Sequence, residues 1–192
     1  GERSAEGNGI TPSIDYRVLQ PRVMTDPNGN RAAVSVDVLG MVVGTAVMGK
    51  PAPATVEGDS LEGFDPDLSD ETILAHLNNP FTDPHAILQR ATSRLLYDLF
   101  AYFRTRDEAE PQPATVYTLA RETHDAVAPG TQTRIQHSFS YSDGFGREIQ
   151  KKIQAEPGPV PQRDDNGDII VAADGEPAMT AESVSPRWVG SG

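Results

Sequence analysis

The side chains best suited to proton transfer or metal binding are four histidines, His76, His85, His124 and His137, in a chain with 28 acids and no cysteine. The missing cysteine removes thiolate zinc sites, cysteine nucleophiles and disulfide frameworks together. No two histidines stand at the spacing that lets one helix face present both to a metal. His124 adjoins Asp125, the start of an acid–base dyad, but no Gly-x-Ser-x-Gly elbow supplies a nucleophile. His137 falls on the inward side of an alternating segment, where a satisfied core histidine is the ordinary outcome. Asp98, among bulky neighbours, reads as the partner of an arginine or as solvent-facing. Asp164-Asp165-Asn166-Gly167-Asp168 has the acid and glycine density of a calcium loop. Counting Asp164 as the first ligand puts Ile169 where that loop needs glycine and Gly175 where it needs a bidentate glutamate, so a polar hairpin turn is the better reading. Phosphate cradles of the Gly-x-x-x-x-Gly-Lys or Gly-x-Gly-x-x-Gly kind are absent.

Glu108-Ala109-Glu110 resembles the Glu-x-Glu pair of ADP-ribosyltransferases, in which the glutamate stabilises a developing cation. The Ser-Thr-Ser strand of those enzymes does not occur, and the pair lies in an acidic loop ending at Pro111. The residues therefore assemble no convincing active site. The expectation is a structural or interaction module, not an enzyme, with no cofactor and no metal.

Composition narrows the elements that such a module can use. Of 192 residues, 17 are glycine and 16 proline. Leu, Ile, Val and Phe together make about 21%, near the level at which highly charged chains stay unfolded. So much glycine and proline argues against a thick all-helical core. Many short strands joined by turns fit better. The formal net charge of −12 repels a phosphate backbone and an anionic membrane alike. Nucleic acid is not expected as a partner. With no apolar run of about 18 residues, neither is direct membrane insertion. The N-terminus lacks both an initiator Met and a signal-peptide pattern, and the end at Gly192 is abrupt. Both suggest a piece of a longer chain.

Along the chain, 1–13 reads as a flexible lead-in. Residues 14–50 read as an antiparallel meander. In 14–23, Tyr16 and Val18 share a strand face. Asp26-Pro27-Asn28-Gly29 is a strong turn, because proline presets one corner and Asn-Gly tolerates positive φ at the next. Residues 33–36 and 41–48 flank a second turn, and the latter run is apolar on both faces, as in a strand covered on both sides. Residues 51–93 form an acidic loop with one or two short helices; 51–89 holds eight acids and no Lys or Arg. Ser69 caps a helix carrying Ile73, Leu74 and Leu77, and Asp83-Pro84 starts a second. Residues 94–156 read as β-hairpins. The aromatics of 94–104 favour strand over helix, and 114–124 is its partner. Thr131, Thr133, Ile135, His137, Phe139 and Tyr141 alternate with polar residues, the clearest period in the chain. Asp143-Gly144-Phe145-Gly146 turns it back into a strand that packs through Ile149 and Ile153. Residues 157–192 read as a Pro-rich linker followed by terminal strands, the last starting near Pro186. Asp37-x-x-Gly40 and Asp143-x-x-Gly146 form a weak repeat of Asp, any residue, an apolar residue and Gly.

Several blocks resemble one family. They are Asp15-Tyr16-Arg17-Val18-Leu19-Gln20-Pro21-Arg22, Thr25-Asp26-Pro27-Asn28-Gly29-Asn30-Arg31, Leu39-Gly40-Met41-Val42-Val43-Gly44-Thr45-Ala46, Gly58-Asp59-Ser60-Leu61-Glu62, Thr118-Leu119-Ala120-Arg121-Glu122-Thr123-His124, the run from Phe139 to Lys152, and Pro186-Arg187-Trp188-Val189-Gly190. In order and over most of the chain, they resemble the B component of ABC-type insecticidal toxin complexes (Tc toxins). The resemblance implies a mainly β fold of the Rhs/YD-repeat type, a strip of antiparallel hairpins within a hollow shell. It implies a structural role in enclosing and delivering a toxic cargo. The implied partners are the C component, the pore-forming A component and the rest of the B shell, in an exported complex. The turns Asp37/Gly40 and Asp143/Gly146 look like degenerate YD turns, with Val36 in place of Tyr and Met41 in place of Arg. The alternative is an extracellular adhesion or carbohydrate-binding β module, for which the chain offers one Trp.

Overall fold

The computed structural model describes residues 10–16, 18–51 and 57–191. Most of the expected lead-in, 1–9, lies outside them. Among the described residues nine strands pair in chain order into one antiparallel sheet. They are β1 (Thr11–Asp15), β2 (Gln20–Thr25), β3 (Arg31–Val36), β4 (Val42–Met48), β5 (Ser93–Asp98), β6 (Ala114–Arg121), β7 (Ile135–Ser142), β8 (Glu148–Ala155) and β9 (Arg187–Ser191). Helices α1 (Asp70–Asn78) and α2 (Pro84–Leu88) lie between β4 and β5, and α3 (Ala101–Thr105) lies between β5 and β6.

Period-two alternation decides which side chains share a face. Across β5, β6 and β7, Leu96 lies opposite Tyr117 and Tyr117 opposite Phe139, while Leu119 faces His137. These residues point to the side that the 57–92 insertion covers. The Ser69 side chain accepts the Thr72 N–H at 3.2 Å and starts α1 as expected, and Ile73 and Leu77 pack inward from it. Ile87, Leu88 and Ala91 join Leu96, Tyr117, Leu119 and Phe139 in the buried core. The other face stays open. Val34, Thr45, Leu95, Val116 and Thr118 are half-buried there, and Val47, Ile153 and Val189 are exposed.

Aromatic rings extend the core toward β9. Tyr117 and Phe139 stack at 4.7 Å between centroids, and Phe139 meets Trp188 edge-on at 5.4 Å. The Tyr117 hydroxyl lies 2.9 Å from the Pro80 carbonyl and 2.5 Å from His137 Nδ1. A carbonyl only accepts, so the hydroxyl proton goes to Pro80 and His137 donates from Nδ1.

Several expectations need correction. Residues 14–23 are not one strand: β1 ends at Asp15 and β2 starts at Gln20, with Tyr16, Val18 and Leu19 between them and Leu19 at φ +54. The 41–48 run buries both Val43 and the adjacent Gly44, one on each face, and only toward its end does one face open, with Ala46 buried and Val47 50% exposed. The strand in 94–104 stops at Asp98. Asp98 pairs with Arg104, six residues on in α3, and α3 buries Ala101 while Phe100, Tyr102 and Phe103 face outward. Asp83 precedes α2 at φ +46 without a side-chain cap bond. Thr131 and Thr133 precede β7, where Gly130–Gln132 forms a 3-10 turn. The Pro-rich 157–163 stretch is no free linker, since Gly158 pairs with Val184 and Pro161 with Met179. Within this arm, Gln162 N–H donates to Ala178, Ala178 to Ile170 and Ile170 to Gln162, a closed ring of backbone bonds.

Burial pushes the His137 pKa down to about 4, with His85 adding to the shift. The unfolded chain therefore takes up a proton, near the ordinary pKa of about 6.5, that the folded state refuses. The stability held above that pH is lost as the pH falls toward 4. At about 1.4 kcal/mol per unit, the loss approaches about 3 kcal/mol. Urea unfolding followed from neutral pH to about pH 4 should show this decline. A His137→Phe variant should show much less of it, and an undiminished decline would place the cause elsewhere.

Candidate functional site

Four connections, 26–30, 37–41, 143–147 and 164–168, are closed by the same bonds. In each, the first residue is an Asp whose carbonyl accepts the N–H of the glycine three positions on. Its own N–H donates to the carbonyl four positions on. Its Oδ1 accepts the N–H groups two and four positions on. All sixteen bonds span 2.8 to 3.1 Å. Gly29, Gly40, Gly146 and Gly167 stand at φ +86, +80, +77 and +87, the left-handed conformation that ends a type I turn in a bulged hairpin loop. The pattern is thus broader than the two copies at Asp37 and Asp143. Asp26-Pro27-Asn28-Gly29 and Asp164-Asp165-Asn166-Gly167 carry the same letters at the same spacing. The missed signal was the Asp-to-Gly interval with a polar third residue. Gly144 is different: its φ is not positive, and a Cβ there meets nothing within 4 Å. The side-chain amide of Asn30 and the backbone N–H of Arg147 hold the Asp26 and Asp143 carboxyls below the usual carboxylate range.

The proposed packing residues divide. Phe139 is core, and Ile135 and Tyr141 pack against it. Ile149 and Ile153 are 49% and 45% exposed, since β8 turns Ile153 toward the open face beside Ser138 and Val189.

A second set of polar residues was not singled out as a site. Asp59, fully buried, accepts from Thr92 Oγ1 and, at 2.7 Å, from the Asp125 N–H, and pairs with His124 Nδ1 at 2.8 Å. Its Oδ1 lies 3.5 Å from Arg121 Nε. Arg121, equally buried, donates to the Ala91 and Gln89 carbonyls at 2.6 Å each and lies 3.4 Å from Asp125. Arg90 closes the group onto Asp125 at 2.9 Å. Gly58 sets the start of this clamp. It stands at φ +76, and a Cβ would lie 2.4 Å from the Val47 carbonyl. The partners are separated by up to 66 residues, so no local spacing announces them.

Arg94 is the other buried cation, 1% exposed. It donates to the Ile87 carbonyl at 2.8 Å and to the Asp65 carbonyl, and lies over the Phe64 ring at 4.2 Å. Its Nε has no partner. Burial lowers its pKa to about 10. The Phe64 ring occupies the space above Gly44, where a Cβ would fall 2.4 Å from it.

The carboxylate partner of His124 is Asp59 and not the adjacent Asp125, and the Thr92 hydroxyl is directed to the same carboxylate. Glu108 and Glu110 are exposed. Among the described residues, no three His, Asp or Glu side chains form a set that could hold a metal. What the geometry does is fix turns and lock the insertion to the sheet.

No family model and no curated protein matches the chain. Its fold is similar to solved structures of TcdB2-TccC3. One, without the hypervariable C-terminal region, is 19% identical at TM-score 0.66, covering 99% of this chain and 10% of that chain. Another is 21% identical at TM-score 0.57, covering 91% and 8%. The Photorhabdus luminescens Tc holotoxin pore is 18% identical at TM-score 0.58, covering 98% and 10%. The chain therefore has a Tc-toxin-related fold and spans about a tenth of the length of these chains.

The turns and the clamp give separate expectations. Gly146→Val should cost about 1–2 kcal/mol, the usual strain of an L-residue in the left-handed region, while Gly144→Val should change stability by less than about 0.5 kcal/mol. Equal costs in denaturant titrations would refute the turn geometry. Arg121→Met strands the Asp59 charge and should cost about 3–5 kcal/mol, against under about 1 kcal/mol for the half-exposed Arg90→Met. Calorimetric melting of the two variants compares them.

Proposed function

We propose that this chain is a length of wall in the B component of a Tc-type toxin complex, a non-catalytic strip of Rhs/YD-like hairpins. It would help enclose and deliver the toxic cargo. The observation that carries the reading is the unbroken strand order β1 to β9, aligned over 99% of the chain with a tenth of a TcdB2-TccC3 chain. Both outer strands leave one edge unpaired among the described residues, and such edges invite further strands. The implied partners are the rest of the B shell, the C component and the A component, within an exported complex.

An adhesion or carbohydrate-binding module is less well supported. Its one Trp, Trp188, packs edge-on against Phe139. The shell reading is tested in the full B component by the Gly40→Val, Gly146→Val double variant. Co-expressed with the C component, it should leave the cargo several-fold more sensitive to protease, since each turn sets a hairpin register. Undiminished protection would count against a wall role for this strip.

A further inference from the structure

The sequence contains three Asn-Gly steps, Asn8-Gly9, Asn28-Gly29 and Asn166-Gly167. The first lies outside the described residues. The other two occupy the same place in two of the four Asp turns. The glycine N–H donates to the Asp26 carbonyl at 2.9 Å in one and to the Asp164 carbonyl at 3.0 Å in the other. Gly29 and Gly167 stand at φ +86 and +87, so the two turns are alike in bonds and in backbone shape.

An Asn-Gly step carries a latent reaction, because glycine has no Cβ to keep its nitrogen from a close approach. Once that nitrogen has lost its proton to solvent, it attacks the carbonyl carbon of the asparagine side chain. A nitrogen–carbon bond forms, the side-chain carbon–nitrogen bond breaks, and ammonia leaves with a proton from water. Water then opens the cyclic imide at one carbonyl or the other, giving aspartate or isoaspartate. No oxidant or reductant takes part. The glycine proton that must leave is the one bonded to the Asp carbonyl. The turn must therefore open before the step, and the rate follows the free energy of local opening.

That free energy differs between the two turns. The 26–30 turn closes the β2–β3 hairpin, whose ladder Val23–Ala33, Met24–Ala32 and Thr25–Arg31 is part of the sheet. The Asn30 side-chain amide donates to Asp26 at 3.0 Å, and Arg31 Nε donates to the Gly49 carbonyl at 3.2 Å. The 164–168 turn lies in the arm between β8 and β9, where a single bridge, Arg163–Ile169, flanks it. Every residue from 161 to 177 is exposed. Arg163 donates to the Gly167 carbonyl at 2.5 Å, but from within the same loop.

We propose that Asn166 is a site of spontaneous deamidation in the folded protein, and that Asn28, in the same kind of turn, is kept from reacting by the sheet. Conversion at 166 is one-way. Isoaspartate lengthens the main chain by a methylene, so the bonds that Asp164 makes to its loop lose their register. The product also adds a carboxylate beside Asp164, Asp165 and Asp168. The inference does not depend on the shell reading.

The test ages the full-length polypeptide that carries this chain at mildly alkaline pH, folded and in urea. Peptide mapping by mass spectrometry follows the exchange of NH2 for OH at both steps. Each folded-state rate is divided by the rate of the same step in urea, which removes the influence of neighbouring residues. On that scale Asn166 should convert about tenfold or more faster than Asn28. Equal scaled rates, or a faster Asn28, overturn the proposal. So does an Asn166 that stays intact in the folded protein while it converts in urea.

Discussion

The contact between Arg121 and Asp59 is what makes this strip more than a bare sheet. A single antiparallel layer has two faces and no interior, and its apolar residues gain little until something covers one of them. Here the cover is the 57–92 insertion. It is anchored by a buried guanidinium at the end of β6 that holds the carbonyls of Gln89 and Ala91 and sits against Asp59. Burying these charges is costly unless every polar atom is satisfied. The geometry meets that demand with Thr92, His124, Asp125 and Arg90 around the pair. With the clamp closed, Leu88 and Tyr117 sit at 0% exposure. The apolar seal and the polar pin therefore depend on each other.

The clamp also explains the asymmetry of the faces. The covered side holds most of the buried rings, whereas the open side mixes Thr, Ser and Val with Leu95, Tyr97 and Ile153, half-buried or exposed. Such a surface is neither polar enough to be plain exterior nor apolar enough to demand a full partner. On the covered side the Arg94 guanidinium, held by two carbonyls and a ring, repeats the device of the clamp with neutral acceptors.

How much of this was legible depended on range. Strand β7 and its hairpin with β8 followed from strict alternation, and the Ser69 cap from one side chain three residues from its donor. Features set by residues close in sequence were readable, down to the Asp-x-x-Gly turns. Those set by distant residues were not. Ile149 and Ile153 obey the same period as Phe139, but period alone does not say which face the insertion covers. The break after Asp98 depended on Arg104 and on the burial of Ala101, against a run of aromatics that fits a strand equally well. Asp59 and Arg121 stood inside the blocks that resembled the toxin family, yet nothing local marked them as partners.

The unbroken strand order has a consequence for how such a chain grows and folds. Each strand hydrogen-bonds only to the strands before and after it in sequence, so backbone coupling is nearest-neighbour, as in repeat proteins. A hairpin duplicated or lost at either end leaves the remaining pairings intact, and such a sheet can lengthen by copying without redesign. Loop-closure entropy is small for the short Asp turns and larger at the long β4–β5 and β8–β9 crossings. The β4–β5 crossing is the longest of them, and it joins the two halves of the sheet under the clamp. The insertion is then both the cover of the sheet and the join between its halves.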